Sequence, residues 1–409
     1  MSGTLLSINN YYYARGGAEV LFMQHNGMLA EAGWSVVPFC MQHADNYPTP
    51  WSYEFVEEIE LDGEHDGFAA KLRKGVKAVY SLEARAKVRG LLDRVAPDVC
   101  HAHNVYHHLS PSILAVIHGR GIPLVMTLHD LKLACPAYSM LARDGVCERC
   151  RDGRLFNVFT QRCMKNSGLL SFLVMVESYL HRFLRSYVGN VDRFLVPSRF
   201  YLEKFVDWGF DRARFRHLPN FVDAQRYEPR FTPGRRFAYV GRLSAEKGIA
   251  TLIEAAALAG VPLDIIGTGR AERSLRDLAG QRSCDVRFHG YLAGRALHAA
   301  MAGARAIVVP SEWYENAPLT VLEAGALGKP VIASAIGGLP ELVVEGETGW
   351  TFAPGSVEAL AERLRAVADL ADTGVERAGR AARRHVAEEF GPDRYLDGIR
   401  GVYLELGVT

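Results

Sequence analysis

The feature that most constrains this chain is a pattern that starts twice. Short apolar runs alternate with longer amphipathic stretches, as βα units on a parallel sheet do, and after a break the alternation begins again. In the first half the expected strands are Thr4 to Asn9, Ser35 to Cys40, Val99 to His103, Leu124 to His129 and Arg193 to Pro197. A helix over Ala18 to Ala32 follows the first strand, and Gly33 ends it. In the second half the strands are Phe237 to Val240, Leu263 to Ile266, Val286 to His289, Ala306 to Val309 and Pro330 to Ala333. Pro219, Pro229 and Pro233 punctuate the stretch between the halves, which reads as a linker. A last helix over Asp393 to Leu406 follows the break at Gly391-Pro392. The expected fold class is α/β, with two doubly wound Rossmann-like domains facing across a cleft. The first covers 1–219, the second 220–392, and the segment 393–409 packs its helix back on the first domain.

Charge excludes one class of partner. Lys and Arg number 47 against 46 Asp and Glu, so the chain lacks the strongly basic surface on which nucleic-acid affinity rests. The start, Met1 to Ile8, has neither a basic n-region nor a long apolar h-region, so no signal peptide is expected. No uncharged apolar run reaches the roughly 18 residues of a membrane-crossing helix; the longest, Ser167 to Val176, stops at Glu177. The expected location is cytoplasmic.

Ligands of doubly wound sheets sit outside the carboxyl ends of the strands, so the residues just after strands carry the chemistry. Arg15-Gly16-Gly17-Ala18-Glu19 opens the first helix, where glycines admit close backbone approach and free N–H groups favour an anion. A tight turn without ligand is the alternative. Gly241-Arg242-Leu243-Ser244-Ala245-Glu246-Lys247-Gly248 is the matching turn of the second half. There Arg242 offers a bidentate fork and Lys247 a mobile point charge for one phosphate group. The alternative is a solvated loop closed by an Arg242–Glu246 or Lys247–Glu246 ion pair.

Glu315-Asn316-Ala317-Pro318-Leu319-Thr320-Val321-Leu322-Glu323 is the most informative stretch. Pro318 suits the first helical position, with Asn316 or Ala317 in the cap region. The N–H groups of Leu319 and Thr320 then face the cleft, ready for a phosphate. Glu315 can accept sugar hydroxyls, and Glu323, more than one turn inside, can hold a ribose diol. His129 stands at a strand's carboxyl end, placed to bond a donor hydroxyl or position an acceptor. His101 and His103 share one strand face, with His107 and His108 beyond; two-residue spacing permits a metal, and lining a cleft is the other reading.

Gly16-Gly17, Gly241-Arg242 with Lys247-Gly248, Glu315 seven residues clear of Glu323, and Gly337-Gly338-Leu339-Pro340-Glu341 occur in that order. The set resembles family 4 of the retaining glycosyltransferases, which have the GT-B fold, and the likeness spans nearly the whole chain. It implies transfer of a sugar from a nucleotide-diphosphate donor, a UDP- or GDP-sugar, to a saccharide or lipid-linked acceptor, with retention at the anomeric carbon. It further implies that Arg242 and Lys247 bind the donor diphosphate, Glu323 the ribose and Glu315 the donor sugar. Gly17 then contacts the diphosphate from the other domain, and His129 lies beside the reacting sugar. A diphosphate leaving group needs charge stabilisation more than proton transfer, and no Asp-x-Asp occurs in the chain. No cofactor is therefore expected for the chemistry itself.

Seven cysteines are odd in number, and four cluster as Cys135, Cys147-x-x-Cys150 and Cys163. Four thiolates with one tight pair suit a tetrahedral structural zinc, with a reversible disulfide or unrelated thiols as alternatives. Cys40, Cys100 and Cys284 fall in or beside apolar strands and are expected in the core. Leu169 to Val188 is amphipathic, with Phe172, Val176, Tyr179, Leu180, Phe183 and Tyr187 beside Lys165, Arg182 and Arg185. Packing inside the first domain is the expected use of that face, and peripheral contact with the inner face of a membrane is the other.

Other classes remain in view. A GT-B-type epimerase or a catalytically silent sugar-nucleotide binder would use the same cleft. A nicotinamide enzyme has only the fragment Gly267-Thr268-Gly269 of its fingerprint here, and Lys329 beside Pro330 is a poor Schiff-base lysine for a cofactor-dependent phosphorylase.

Overall fold

The computed structural model describes residues 2–59, 77, 79–282 and 284–409. Two six-stranded sheets organise it. The first contains β1 (Thr4–Ile8), β2 (Ser35–Phe39), β3 (Val99–Ala102), β4 (Leu124–Thr127), β7 (Arg193–Val196) and β8 (Phe215–His217) in the order β2-β1-β3-β4-β7-β8. The second contains β9 (Phe237–Val240), β10 (Leu263–Ile266), β11 (Val286–Gly290), β12 (Ile307–Val309), β13 (Val331–Ser334) and β14 (Gly349–Phe352) in the order β11-β10-β9-β12-β13-β14. All neighbouring pairs within both sheets run parallel. A small antiparallel hairpin, β5 (Leu141–Ala142) with β6 (Gly145–Val146), lies between β4 and β7.

Burial explains the near-continuous apolar strands. Leu5, Leu6, Ile8, Val99, Cys100, Leu124, Val125 and Met126 are fully buried, as expected of a parallel sheet covered on both faces. In each sheet the chain reverses direction beside its first strand, between β1 and β3 and between β9 and β12. Those two switch points leave crevices where the loops after neighbouring strands part.

The last helix, Pro392–Glu405, packs Tyr395, Ile399, Val402 and Tyr403 against Leu5, Leu21, Leu29, Trp34, Val99 and Leu195 of the first sheet's layer. Tyr395 Oη lies 3.2 Å from His25 Nδ1, and Tyr403 Oη lies 2.9 Å from His101 Nδ1. No helix among the described residues is long and apolar enough to cross a membrane.

Three expectations need correction. Pro318 is the residue before the helix Leu319–Ala326, with extended backbone (ψ 128°), so it caps that helix rather than opening it. Cys284 is only half-buried, unlike Cys40 and Cys100, because it lies on the approach to the edge strand β11. The amphipathic helix, Gly168–Phe183, is inverted relative to the packed arrangement. It buries Ser171, Val174, Glu177 and His181, while Leu169 (56% exposed), Phe172, Val176, Tyr179, Leu180 and Phe183 (84%) face outward. The physical reason is an inner charged cluster. Glu177 pairs with Lys132 Nζ at 3.2 Å and has His107 at 3.8 Å and His181 at 3.7 Å. Lys132 holds the Glu177 carboxyl below its usual range against the opposing effect of burial.

Candidate active site

The loops that leave β9 and β12, on either side of the second sheet's switch point, bring together the residues singled out by sequence. Lys247, after β9, donates from Nζ to Glu315 Oε1 at 2.6 Å. The same oxygen accepts from Ser311 Oγ at 2.6 Å and Trp313 Nε1 at 2.9 Å, so three donors hold one buried carboxylate. Lys247 Nζ also lies 5.1 Å from the centre of the Trp313 ring, within cation–π range. Sequence reasoning found Lys247 and Glu315 but passed over Ser311 and Trp313. Their position directly after β12, at a carboxyl end, is the signal that could have found them.

Arg242 takes the solvated arrangement considered above: its guanidinium pairs with Glu246 at 3.0 Å and is largely exposed. Ser244 Oγ donates to the same Glu246 oxygen at 2.7 Å. The Arg242 turn is stacked backbone to backbone on the Gly267-Thr268-Gly269 turn. A Cβ at Gly267, which has φ +134°, would fall 1.9 Å from the Gly241 carbonyl oxygen. Those glycines therefore serve close packing of two loops rather than a dinucleotide fingerprint. Lys329 precedes β13, at the amino end of the sheet, and donates to the Thr232 carbonyl at 3.1 Å. It stands away from the crevice.

Glu323 sits inside the helix Leu319–Ala326, half-buried, and accepts from Tyr227 Oη at 3.4 Å. Burial raises its pKa, the Tyr227 bond opposing. A carboxylate in that state is suited to hydroxyl donors such as a vicinal diol.

The first domain closes the crevice from the other side. The helix Gly17–Glu31 begins after an extended Gly16, and a Cβ on Gly17 would stand 3.8 Å from Leu319 Cδ1. Two helix N-termini, at Gly17 and Leu319, thus face the same space, each carrying free N–H groups and a positive dipole end. Thr320 is the second residue of its helix, and Ala317 is buried behind it.

Asn316 bridges the two domains. Its Nδ2 lies 3.2 Å from the Leu128 carbonyl and 3.3 Å from that of His129, and its Oδ1 accepts from Ser198 Oγ at 2.8 Å. That side chain ties the second domain to the first instead of being free for a donor. Glu341, from the Gly337-Gly338-Leu339-Pro340-Glu341 motif, does the same. Its carboxylate accepts the backbone N–H groups of Arg199 (2.8 Å) and Phe200 (2.7 Å), capping the first-domain helix Arg199–Asp207.

His129 follows β4 at the floor of the crevice. Its Nε2 lies 2.9 Å from His103 Nδ1, and the two rings stack at 5.2 Å and 19°. Burial pushes the His129 pKa down to about 4 and His25 to about 3, with His101 and His103 also lowered. One ring nitrogen from each of His25, His101 and His103 lies within 4.8 Å of the other two. His101 bonds Tyr403 Oη and Thr127 Oγ1, and His103 Nδ1 bonds His129, while His25 Nε2 and His103 Nε2 are buried without a hydrogen-bond partner. A neutral His129 can position a hydroxyl but cannot serve as a cationic acid at ordinary pH. His129→Ala is expected to lower kcat more than donor affinity, and the wild-type kcat profile is expected to show no His129 step between pH 5 and 8. Steady-state kinetics across pH checks both; a limb near 6.5 that vanishes in the variant would contradict the neutral assignment.

Comparison with known proteins agrees with this arrangement. The family model "Glycosyltransferase Family 4" matches residues 15–226, and "Glycosyl transferases group 1" matches residues 223–385. A glycogen synthase of Mycobacterium tuberculosis is 36% identical over 404 residues, which cover 92% of this chain and 88% of that protein. A GDP-mannose-dependent monoacylated alpha-(1-6)-phosphatidylinositol monomannoside mannosyltransferase of Corynebacterium glutamicum is 32% identical over 235 residues, 51% of this chain and 60% of that protein. Among solved structures, sucrose-phosphate synthase from Thermosynechococcus elongatus superposes with a TM-score of 0.70 at 21% identity, covering 98% of both chains. HepE from Anabaena, solved with UDP and glucose, gives 0.69 at 16% identity, covering 98% of this chain and 100% of that one. The chain is a family 4 glycosyltransferase with the GT-B fold.

Proposed function

We propose that the enzyme moves a sugar from a UDP- or GDP-sugar to a saccharide, lipid-linked or small-molecule acceptor, with retention at the anomeric carbon and no divalent metal in the chemistry. The observation that carries the reading is the convergence of Lys247, Glu315 and two opposed helix N-termini on one crevice. In this reading the diphosphate lies between the N-termini at Gly17 and Leu319-Thr320, with Lys247 and Arg242 compensating the charge that develops as it leaves. Arg242 exchanges its Glu246 partner for phosphate. Glu323 holds the ribose diol, and Glu315, fixed by Ser311 and Trp313, orients the donor sugar. The departing phosphate oxygen assists deprotonation of the acceptor hydroxyl, which attacks from the same face, beside His129.

Among the relatives, HepE was solved with UDP and glucose, and the Corynebacterium enzyme depends on GDP-mannose, so both bases belong in the first test. A thermal-shift screen with UDP, GDP and ADP is expected to single out one nucleotide. The matching sugar donors, offered with an acceptor panel, then allow product NMR. An inverted anomeric linkage would overturn retention. Turnover of the donor without any acceptor would favour an epimerase, and tight binding without turnover a silent binder.

The outward apolar face of the helix Gly168–Phe183 supports a further part of the reading, a peripheral stance on an anionic, cytoplasmic membrane surface. Phe172, Val176, Tyr179, Leu180 and Phe183 present the apolar side, and Arg182 and Arg185 flank its end. Sedimentation with phosphatidylglycerol vesicles is expected to carry the protein down at low salt, and Phe172→Ser combined with Phe183→Ser to leave it in solution. Equal sedimentation of both proteins would end this part of the proposal.

A further inference from the structure

Between β4 and β7 the chain makes a compact excursion that neither sheet explains. Its centre is a cavity of about 10 Å³ lined by Cys135, Cys147, Cys150 and Cys163 together with Leu141 and Val158. All four cysteines are free thiols. They reach the cavity from separate pieces of backbone. Cys135 lies in the turn after Leu131, where its N–H donates to the Leu131 carbonyl at 2.7 Å. Cys147 follows the β5–β6 hairpin, and its N–H donates to the Met140 carbonyl at 2.7 Å. Cys150 precedes the short turn Arg151–Gly153, and Cys163 follows the single-turn helix Asn157–Thr160.

The polar side chains at the cavity wall are occupied elsewhere. Asn157 Nδ2 donates to the carbonyls of Arg149 (2.7 Å) and Arg154 (2.9 Å), and Gln161 Oε1 accepts from Arg149 at 3.2 Å. Sulfur is thus the ligand type that faces the space, and the space has the size of one ion rather than a small molecule.

The backbone around it is rich in left-handed conformations. Of ten described non-glycine residues with positive φ, six fall between Cys135 and Asn166: Tyr138, Met140, Asp152, Arg162, Lys165 and Asn166. From Leu141 to Asn166 the buried apolar residues are only Cys150, Leu155 and Val158. A segment with so little core is commonly stapled by a metal.

We propose that Cys135, Cys147, Cys150 and Cys163 bind one structural zinc ion as a tetrahedral four-thiolate site. Binding releases the thiol protons to solvent, and χ1 rotation draws the sulfurs from the cavity wall onto the ion. The Arg149 guanidinium, two residues from Cys147 and paired with Asp144, would offset part of the negative charge of the four-thiolate complex. The site has a structural consequence in the crevice. Glu148, inside the Cys147-x-x-Cys150 knuckle, accepts from Lys204 Nζ at 2.7 Å and from Tyr314 Oη at 2.9 Å. Tyr314 is the residue before Glu315, so the ion fixes a strut that runs from the first domain to the candidate donor site.

Full-length protein purified without chelator is expected to contain about one zinc per chain by plasma mass spectrometry. Cys147→Ser combined with Cys150→Ser should lose it, while Cys284→Ser should keep it. Replacement by Co²⁺ is expected to give intense visible bands of a tetrahedral site and near-ultraviolet thiolate-to-cobalt charge transfer. If the double variant does not fold, titrating wild-type thiols with a mercurial should release the same zinc to an indicator dye. Metal-free wild-type protein, a Cys147–Cys150 disulfide by mass spectrometry, or iron in place of zinc would each overturn the proposal.

Discussion

Lys247→Ala is expected to lower kcat/KM for the donor by about 100- to 1,000-fold, or about 2.7–4 kcal/mol of transition-state stabilisation. The argument has two parts. Lys247 Nζ is the cation nearest the buried carboxylate of Glu315, at 2.6 Å, and stands in the turn that opens toward the facing helix N-termini. A leaving diphosphate gains charge there, and a positioned ammonium compensates that charge without reorganisation of solvent. Lys247 also orients Glu315, though Ser311 and Trp313 keep their bonds to the same oxygen when the lysine is gone. The fold should therefore survive, with a melting temperature close to wild type, and the loss should appear mainly in kcat. Lys247→Arg should recover part of the rate, because charge returns while geometry changes. Rates measured with the nucleotide sugar identified by the thermal screen decide the matter. A variant within about threefold of wild type would exclude Lys247 from charge compensation, since a positioned charge-stabilising donor is worth far more.

The sequence made the architecture readable to different depths. Central strands were legible because a parallel strand covered on both faces is apolar throughout, as in Leu124-Val125-Met126 or Ile307-Val308-Val309. The edge strands β8, Phe-Arg-His, and β14, Gly-Trp-Thr-Phe, escaped notice because one side of an edge is wet and its composition is mixed. The donor-side residues were legible as types after strands. Their partners were not, because those depend on distances no local period encodes. Glu341 caps a helix 142 residues earlier in the chain, and Asn316 reaches a carbonyl 188 residues away. The helix Gly168–Phe183 shows the limit most clearly. Its period is helical, but which face turns inward was decided by Lys132, His107 and His181 gathering around Glu177.

Gly337→Ala should separate the interdomain motif from ordinary loop strain. Gly337 has φ +61°, and a Cβ there would stand 2.3 Å from the carbonyl oxygen of Glu315 and 2.6 Å from its nitrogen. The next residue, Gly338, donates its N–H to that same carbonyl at 2.8 Å. The two glycines therefore form the surface on which the Glu315 backbone rests. A methyl group must displace either the motif, and with it the Glu341 cap on the first domain, or Glu315 itself. The left-handed conformation costs about 1–2 kcal/mol and the clash about 1–3 kcal/mol, so stability should fall by about 2–5 kcal/mol. Turnover should fall by at least about 100-fold, as a small misplacement of a positioning group can cost that much. Gly346→Ala supplies the comparison: φ is +74°, but its Cβ would meet nothing within 4 Å. That variant should lose only about 1–2 kcal/mol and keep its kcat. Urea melts and steady-state rates on both variants test the distinction. Equal destabilisation with unchanged turnover in both would mean that the Glu315 backbone moves aside freely and that the motif does not hold the donor site in place.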